Sequence, residues 1–188
     1  VGALARRAAA PGADPARLTE DCARIDAQIA ALQQVNRRIL GRLRPAALEE
    51  MGLADALEAL AQGWREANPR VTITLSLEGA SGDIEETTAL TAYRIVQEGL
   101  ANALRHSGAD RVDVSVSRAR GALHVVVRDN GAGLDATRPP SSGGGLGLRG
   151  MSERVGALGG ALTLGNDAKG GARLAASLPV RNPGLERC

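Results

Sequence analysis

Glu98, Asn102, Arg105 and His106 are the residues whose types and spacing first suggest chemistry. In a helix running from Thr88 to His106, residues four apart stack turn over turn, so a carboxylate, an amide oxygen and a cation would share one stripe. Such a row fills a helix interface poorly. It suits a hydrated divalent cation and the phosphates that it neutralises, because a small hard cation takes oxygen ligands and keeps several waters. A second set is built on glycine: Asp129-Asn130-Gly131-Ala132-Gly133, then Gly143 to Gly150, with more than half of the 24 glycines lying between Gly131 and Gly171. Glycine lets backbone N–H groups approach an anion unobstructed, and a helix N-terminus just behind adds a favourable dipole. Gly145-x-Gly147-x-x-Gly150 spells the dinucleotide fingerprint but follows a Pro- and Ser-rich loop instead of a strand, which excludes a Rossmann reading. A Walker A loop is excluded too, since the single lysine, Lys169, precedes Gly170.

The elements that must position these groups follow from periodicity. The Thr88 to His106 helix carries Leu90, Tyr93, Val96, Leu100 and Leu104 on one apolar face, and Asp83 with Glu86 resembles a capping box ahead of it. Upstream, Asp14-Pro15 starts a long helix that ends near Leu43 before Arg44-Pro45. Leu18, Cys22, Ile25, Ile29, Leu32, Asn36, Ile39 and Leu43 alternate spacings of four and three, a heptad seam. The seam is compatible with packing inside its own domain. The narrow stripe and the polar Asn36 favour a helical hairpin that dimerises into a four-helix bundle. Residues 45 to 53 read as a connector, and Leu53 to Ala67 as a helix with Leu53, Leu57, Leu60 and Trp64 on one face. From Val71 the period becomes two, predicting strands over 71–77, 112–116, 122–128, 161–164 and 172–178. A helix is expected from about Leu148 to Leu158, presenting Met151, Val155 and Leu158 inward. The segment from Asp135 to Ser142 reads as a mobile loop, and the tail after Val180 as frayed.

Composition removes other classes. The formal charge is +2, and one Trp, one Tyr and no Phe leave almost nothing to stack on bases, so nucleic-acid binding is set aside. Cys22 and Cys188 offer neither a disulfide framework nor zinc spacing. No apolar run approaches the roughly 18 residues needed to span a bilayer, and no secretory leader is visible. The abrupt start suggests a piece of a larger protein.

Three ordered motifs carry a resemblance. Glu98-x-x-x-Asn102-x-x-Arg105-His106, Asp129-x-Gly131-x-Gly133 and Gly145-x-Gly147-Leu148 resemble the N, G1 and G2 boxes of the ATP-binding domain of bacterial sensor histidine kinases, a fold shared with gyrase and Hsp90. The wording YRIVQEGLANALRHSGA, GLGLRGMSERV and LRPAALEEMGLADAL is closest to the nitrate-sensor and desaturase-sensor (NarX/DesK-like) subfamily. The resemblance runs from about Leu18 to Val180. It implies an α/β fold of the Bergerat type, a two-layer α+β sandwich, preceded by a helical dimerisation segment. The implied domains are 1–44, a partial dimerisation hairpin; 45–70, a connector and first helix; 71–180, the ATP-binding core; and 181–188, a tail.

The resemblance further implies ATP and Mg²⁺ as ligands. Asn102 would coordinate the metal, and Glu98 would hold a metal-bound water or orient the reacting centre. Arg105 would lie near the phosphates, and Asp129 would accept a hydrogen bond from the adenine amino group. Gly131 and Gly133 would let the backbone close on the base. Gly143, Gly144, Gly145 and Gly147 would form the lid and its hinge over the triphosphate, and Leu148 beside them would belong to the nucleotide-binding set. The implied partners are a second copy of the chain and a NarL-like response regulator, and the implied location is cytoplasmic, any membrane anchor lying in segments outside this chain. Neither His106, expected to end its helix, nor His124, expected within a strand, fits the phosphoacceptor position, so this chain alone is not expected to autophosphorylate. Ala172 stands where the family commonly has a threonine whose hydroxyl helps bind adenine through water, a loss of about 1 kcal/mol. Each residue also has a plainer reading: Asp129 as a turn residue after a strand, Glu98 and Asn102 as a solvated helix face. The alternatives for the whole are a non-catalytic dimerisation module, and another ATPase or anti-sigma-type serine kinase of the same fold.

Overall fold

A computed structural model of the chain describes residues 45–134 and 145–180, together with residues 20, 24 and 28, which are helical. Contacts divide the chain into two units, Val1–Arg44 and Pro45–Cys188. The expected heptad helix is covered only at those three positions. The loop 135–142, Gly143, Gly144 and the tail 181–188 lie outside the described residues.

Among the described residues of the second unit, the order is α1 (Ala46–Ala67), β1 (Thr72–Glu78), α2 (Glu86–His106), β2 (Arg111–Ala119), β3 (Ala122–Asp129), α3 (Gly145–Ala157), β4 (Ala161–Asn166) and β5 (Ala172–Pro179). The strands form one mixed sheet in the order β1-β2-β3-β5-β4. Only β1 and β2 pair in parallel, because the whole of α2 connects them and carries the chain back to the starting edge. The β2–β3 connection is a two-residue turn at Arg120 (φ 52°) and Gly121 (φ 74°), whose left-handed conformations match the twist of a tight hairpin.

Alternation decides which side of the sheet is covered. Ile73, Val112, Val114, Val116, Leu123, Val125, Val127, Leu174, Ala176 and Leu178 are all buried, and the pairing registers put them on one face. The opposite face carries Thr72, Thr74, Ser76, Asp113, Ser115, Ser117, His124 and Arg128. This is the two-layer arrangement of helices over an antiparallel-rich sheet that the sequence predicts.

The central helix is buried more widely than its apolar stripe suggests. Besides Tyr93, Val96 and Leu100, the residues Ala89, Ala92, Ile95, Ala101 and Ala103 are buried, as are Thr88 and Thr91. The Thr91 hydroxyl donates to the Thr87 carbonyl at 2.7 Å, so its burial leaves no unmet donor. α2 touches α1, α3, β2, β3 and β5, which explains why small side chains surround it. Gly99 faces β3 so closely that a Cβ there would lie 2.8 Å from a methyl carbon of Val127.

Two expectations are corrected. The connector from 45 to 53 is helical from Ala46, with Leu48 buried in the core, and the break falls at Gly52 (φ 80°, ψ −179°), a backbone conformation open to glycine. The Asp83/Glu86 capping box does not form: α2 starts at Glu86, and Glu85 at its N-cap makes no side-chain cap hydrogen bond. The helix begins too late for Asp83 to reach it. No helix among the described residues is long and apolar enough to cross a membrane.

Candidate functional site

Strand alternation carries a carboxylate into the gap between the layers. Leu123, Val125 and Val127 face the helices, so Asp129, two residues further along β3, lies on the same side at the strand's end. The β3–β5 register sets Arg128 opposite Arg173, which brings Asp129 beside Ala172. The β4–β5 register sets Ala172 opposite Asn166. Three neighbouring strand ends therefore offer Asp129, Ala172 and Asn166 in a row under the helix layer.

The Asp129 carboxylate is held by backbone. Its Oδ1 accepts from the Gly131 N–H at 2.9 Å and from the Ala172 N–H at 3.4 Å. The Ala172 contact comes from the main chain and does not need the hydroxyl of a threonine. With Oδ1 so engaged, Oδ2 is the oxygen available to an incoming donor.

Two glycines make this possible. A Cβ on Gly171 (φ 81°) would overlap the Asp129 carbonyl, and one on Gly131 would overlap the Ser107 carbonyl. The loop after β3 is pinned along its length. Asn130 Oδ1 accepts from the Asp110 and Arg111 N–H groups at 3.2 and 3.0 Å, and its Nδ2 donates to Asp110 Oδ1 at 2.7 Å. The Ala132 N–H donates to the Ser107 carbonyl at 2.9 Å. Ser107 is the residue at the C-cap of α2, so this contact ties the loop to the end of the helix that bears the stripe.

On α2, Glu98 and Asn102 are half-buried and Arg105 is exposed, on adjoining turns of one side. The first turn of α3 comes against Glu98. A Cβ on Gly147 would lie 2.9 Å from Cδ of Glu98, so a larger residue there would require the Glu98 carboxylate to swing aside. Gly145 and Gly147 thus stand inside α3, which starts three residues earlier than expected, instead of in a loop before it. Leu148 is half-buried and packs on the core. His106 is the last residue of α2, and His124 sits in β3 opposite Ser117 and Ser177.

One turn before Glu98, Arg94 donates to Gln97 Oε1 at 2.6 Å. Burial lowers its pKa below the usual guanidinium value; Tyr93 opposes that shift and the positive charge of Arg154 on α3 adds to it. Burial likewise raises the Tyr93 phenol, against the pull of Arg94. The described residues contain no group of three or more His, Cys, Asp or Glu side chains suited to hold a metal by themselves.

The sequence pattern missed Ser107, Asn130, Gly99 and Asn166. Asn130 reads as part of a turn after its strand and Asn166 draws no reading of its own, and nothing in their spacing reveals that their carboxamides pair with backbone far away in the chain.

Residues 87–182 match the family described as histidine kinase-, DNA gyrase B-, and HSP90-like ATPase. The chain belongs to this family. Relatives narrow the type of ATPase domain to that of bacterial sensor histidine kinases. The signal transduction histidine-protein kinase/phosphatase UhpB of Salmonella typhimurium is 37% identical over 145 residues, 77% of this chain and 28% of its own length. The sensor histidine kinase MctS of Rhizobium johnstonii is 34% identical over 94% of this chain and 38% of its own length. DegS of Brevibacillus brevis, a histidine-protein kinase/phosphatase, is 31% identical over 77% and 36%. UhpB and DegS fit the nitrate-sensor and desaturase-sensor subfamily. The chain spans about a third of the length of these curated relatives. Among solved structures, the blue-light activated histidine kinase EL346 of Erythrobacter litoralis aligns with a TM-score of 0.56 and 26% identity, over 68% of this chain and 42% of that one. The ATP-binding domain of PrrB from Mycobacterium tuberculosis aligns at 0.55 and 25%, over 68% of this chain and 93% of its own.

Proposed function

We propose that this chain is the ATP-binding catalytic portion of a sensor histidine kinase which, in the intact protein, transfers the γ-phosphoryl group of ATP to a histidine on a dimerisation helix, and thence to an aspartate of a NarL-like response regulator. The observation that carries the reading is the Asp129 carboxylate, fixed by two backbone N–H groups between glycines that tolerate no Cβ. A carboxylate with one oxygen so held presents the other to an exocyclic amino group, which is how an adenine would be selected.

From that anchor the nucleotide would run along α2 toward Asn102 and Glu98. Asn102 would supply an oxygen to Mg²⁺, with Glu98 holding one of its waters and Arg105 near the phosphates. Two oxygen-bearing side chains fit a small cation that retains water and binds phosphate oxygens. When bound, the cation would neutralise charge on the transferring group. The protein's part is positioning and electrostatics. An imidazole nitrogen of the acceptor histidine attacks the γ-phosphorus, the bond to the β,γ-bridging oxygen breaks, and ADP leaves with that electron pair while the ring gives up its proton. Glu98 would be the carboxylate placed to assist this exchange. Gly145 and Gly147 in the first turn of α3 would give the phosphates a helix N-terminus.

The two histidines of this chain, His106 and His124, lie in the nucleotide-binding unit, and the acceptor would come from the dimerisation helix of a longer chain. The domain would work in the cytoplasm, where ATP and the regulator are found.

Calorimetric titration with a non-hydrolysable ATP analogue, with and without Mg²⁺, tests the reading against Asp129→Ala. Saturable binding that tightens with Mg²⁺ and disappears in the folded variant is expected. A folded chain that binds nothing at millimolar nucleotide overturns it.

A further inference from the structure

The loop Asp129–Leu134 is fixed at its start by Asn130 and at its middle by Ser107. Its far end is held by a residue outside the three boxes. We propose that Asn166 is a positioning residue for the adenine end of the nucleotide: its carboxamide pairs with both backbone groups of Leu134 and fixes the exit of the loop on which the base rests. This inference depends on the ATP-site reading above.

The geometry is that of a peptide group paired with a peptide group. Asn166 Oδ1 accepts from the Leu134 N–H at 2.5 Å, and Asn166 Nδ2 donates to the Leu134 carbonyl at 3.1 Å. Gly133 (φ 74°) lets the carboxamide lie against the chain, since a Cβ there would stand 2.8 Å from Asn166 Oδ1 and 3.2 Å from the Gly171 carbonyl. Asn166 ends β4 opposite Ala172, the residue whose N–H donates to Asp129. One row of strand ends therefore holds both the adenine-reading carboxylate and the loop that leaves it.

The turn behind Asn166 is closed by hydrogen bonds. Asp167 N–H donates to the Gly171 carbonyl at 2.9 Å, Gly170 N–H to the Asp167 carbonyl at 3.0 Å, and Lys169 N–H to Asp167 Oδ1 at 3.0 Å. Arg128 pairs with Asp167 at 3.2 Å across the sheet. Asn166 itself is exposed, so little of the core depends on it. Its effect falls on where Gly133 and Leu134 stand, and preorganisation of a binding loop appears directly in affinity.

The test uses the full chain carrying Asn166→Ala or Asn166→Asp, titrated with the non-hydrolysable ATP analogue and with ADP, alongside thermal unfolding and amide exchange at Leu134. Asn166→Ala is expected to weaken both nucleotides by the same factor, about three- to tenfold, and to speed exchange at Leu134. Equal loss is required because the two nucleotides share the base and differ at the γ-phosphate. Asn166→Asp keeps an acceptor for the Leu134 N–H and loses the donor, so it falls between wild type and alanine. Lowered unfolding temperature with unchanged affinity, in a wild type whose binding needs Asp129, overturns the positioning role alone. A folded wild type that binds neither nucleotide overturns the ATP-site reading itself, which separates the two failures.

Discussion

The two faces of the sheet are made by the same strands and obey different rules. On the covered face Val127 leads to Asp129, and the space is so filled that Gly99 and Gly171 cannot accept a methyl group without moving backbone or a core valine. On the open face Arg128, Asp113 and Thr74 interact beside solvent. Thr74 donates to Asp113 at 2.5 Å, and Arg111 reaches Asp113 at 3.0 Å with both side chains about half exposed, at 57% and 44%. Packing without slack places the carboxylate on one side, and screened charge keeps the other side soluble. The same substitution should therefore have very different consequences on the two faces.

The sharpest contrast is steric. Gly99→Leu is expected to destabilise the fold by about 3 kcal/mol through overpacking against Val127, whereas Ser115→Leu on the open face should change it by less than about 0.5 kcal/mol. Denaturant unfolding of both variants checks the pair, and equal losses would break the comparison. Next in size, Gly171→Ala should cost about 2 kcal/mol, because it forces an alanine into a left-handed backbone against the Asp129 carbonyl. Nucleotide affinity should fall with it, which titration and unfolding read separately. Arg128→Ala, which removes the pair with Asp167, should cost no more than about 1 kcal/mol, less at high salt.

The smallest effect belongs to Asp113→Asn. The hydrogen bond from Arg111 holds the Asp113 carboxyl below its usual range, Thr74 and nearby charges add to that, and burial opposes it. A lowered folded-state pKa contributes stability above the ordinary carboxylate range and loses it as pH falls through the lowered value. The variant should melt within about 2 °C of wild type at neutral pH. That difference should vanish in acid, which a pH series of melting curves will show.

Legibility in the sequence follows this division. Strands with strict alternation, such as Val112 to Val116, announce their covered face, and the two-layer architecture follows from them. The Glu98, Asn102 and Asp129 spacings point to a candidate site because holding a cation and a base would call for oxygen-bearing types at such places. What remained hidden rests on small residues and long-range pairing. Alanines at 92, 101 and 103 are too small to register as an apolar stripe, yet they are buried because α2 has neighbours on several sides. Gly99 looks like a weak helix former until Val127 is seen against it. The capping pattern at Asp83 was a local signal that tertiary placement of α2 overrode. Asn166 could be found only once β4 and β5 were laid beside β3.

That last arrangement bears on how the protein is made. The hairpin of β2 and β3 can close as soon as both strands leave the ribosome, since its contacts are local. Asp129 then still lacks the Ala172 N–H, which lies 43 residues later in the chain. A nascent chain ending before β5 thus holds the carboxylate without the frame that aims it. Ligand can stabilise only the state that binds it, so if Asp129 anchors the nucleotide as proposed, ATP would assist the last stage of biosynthetic folding and none of the earlier ones.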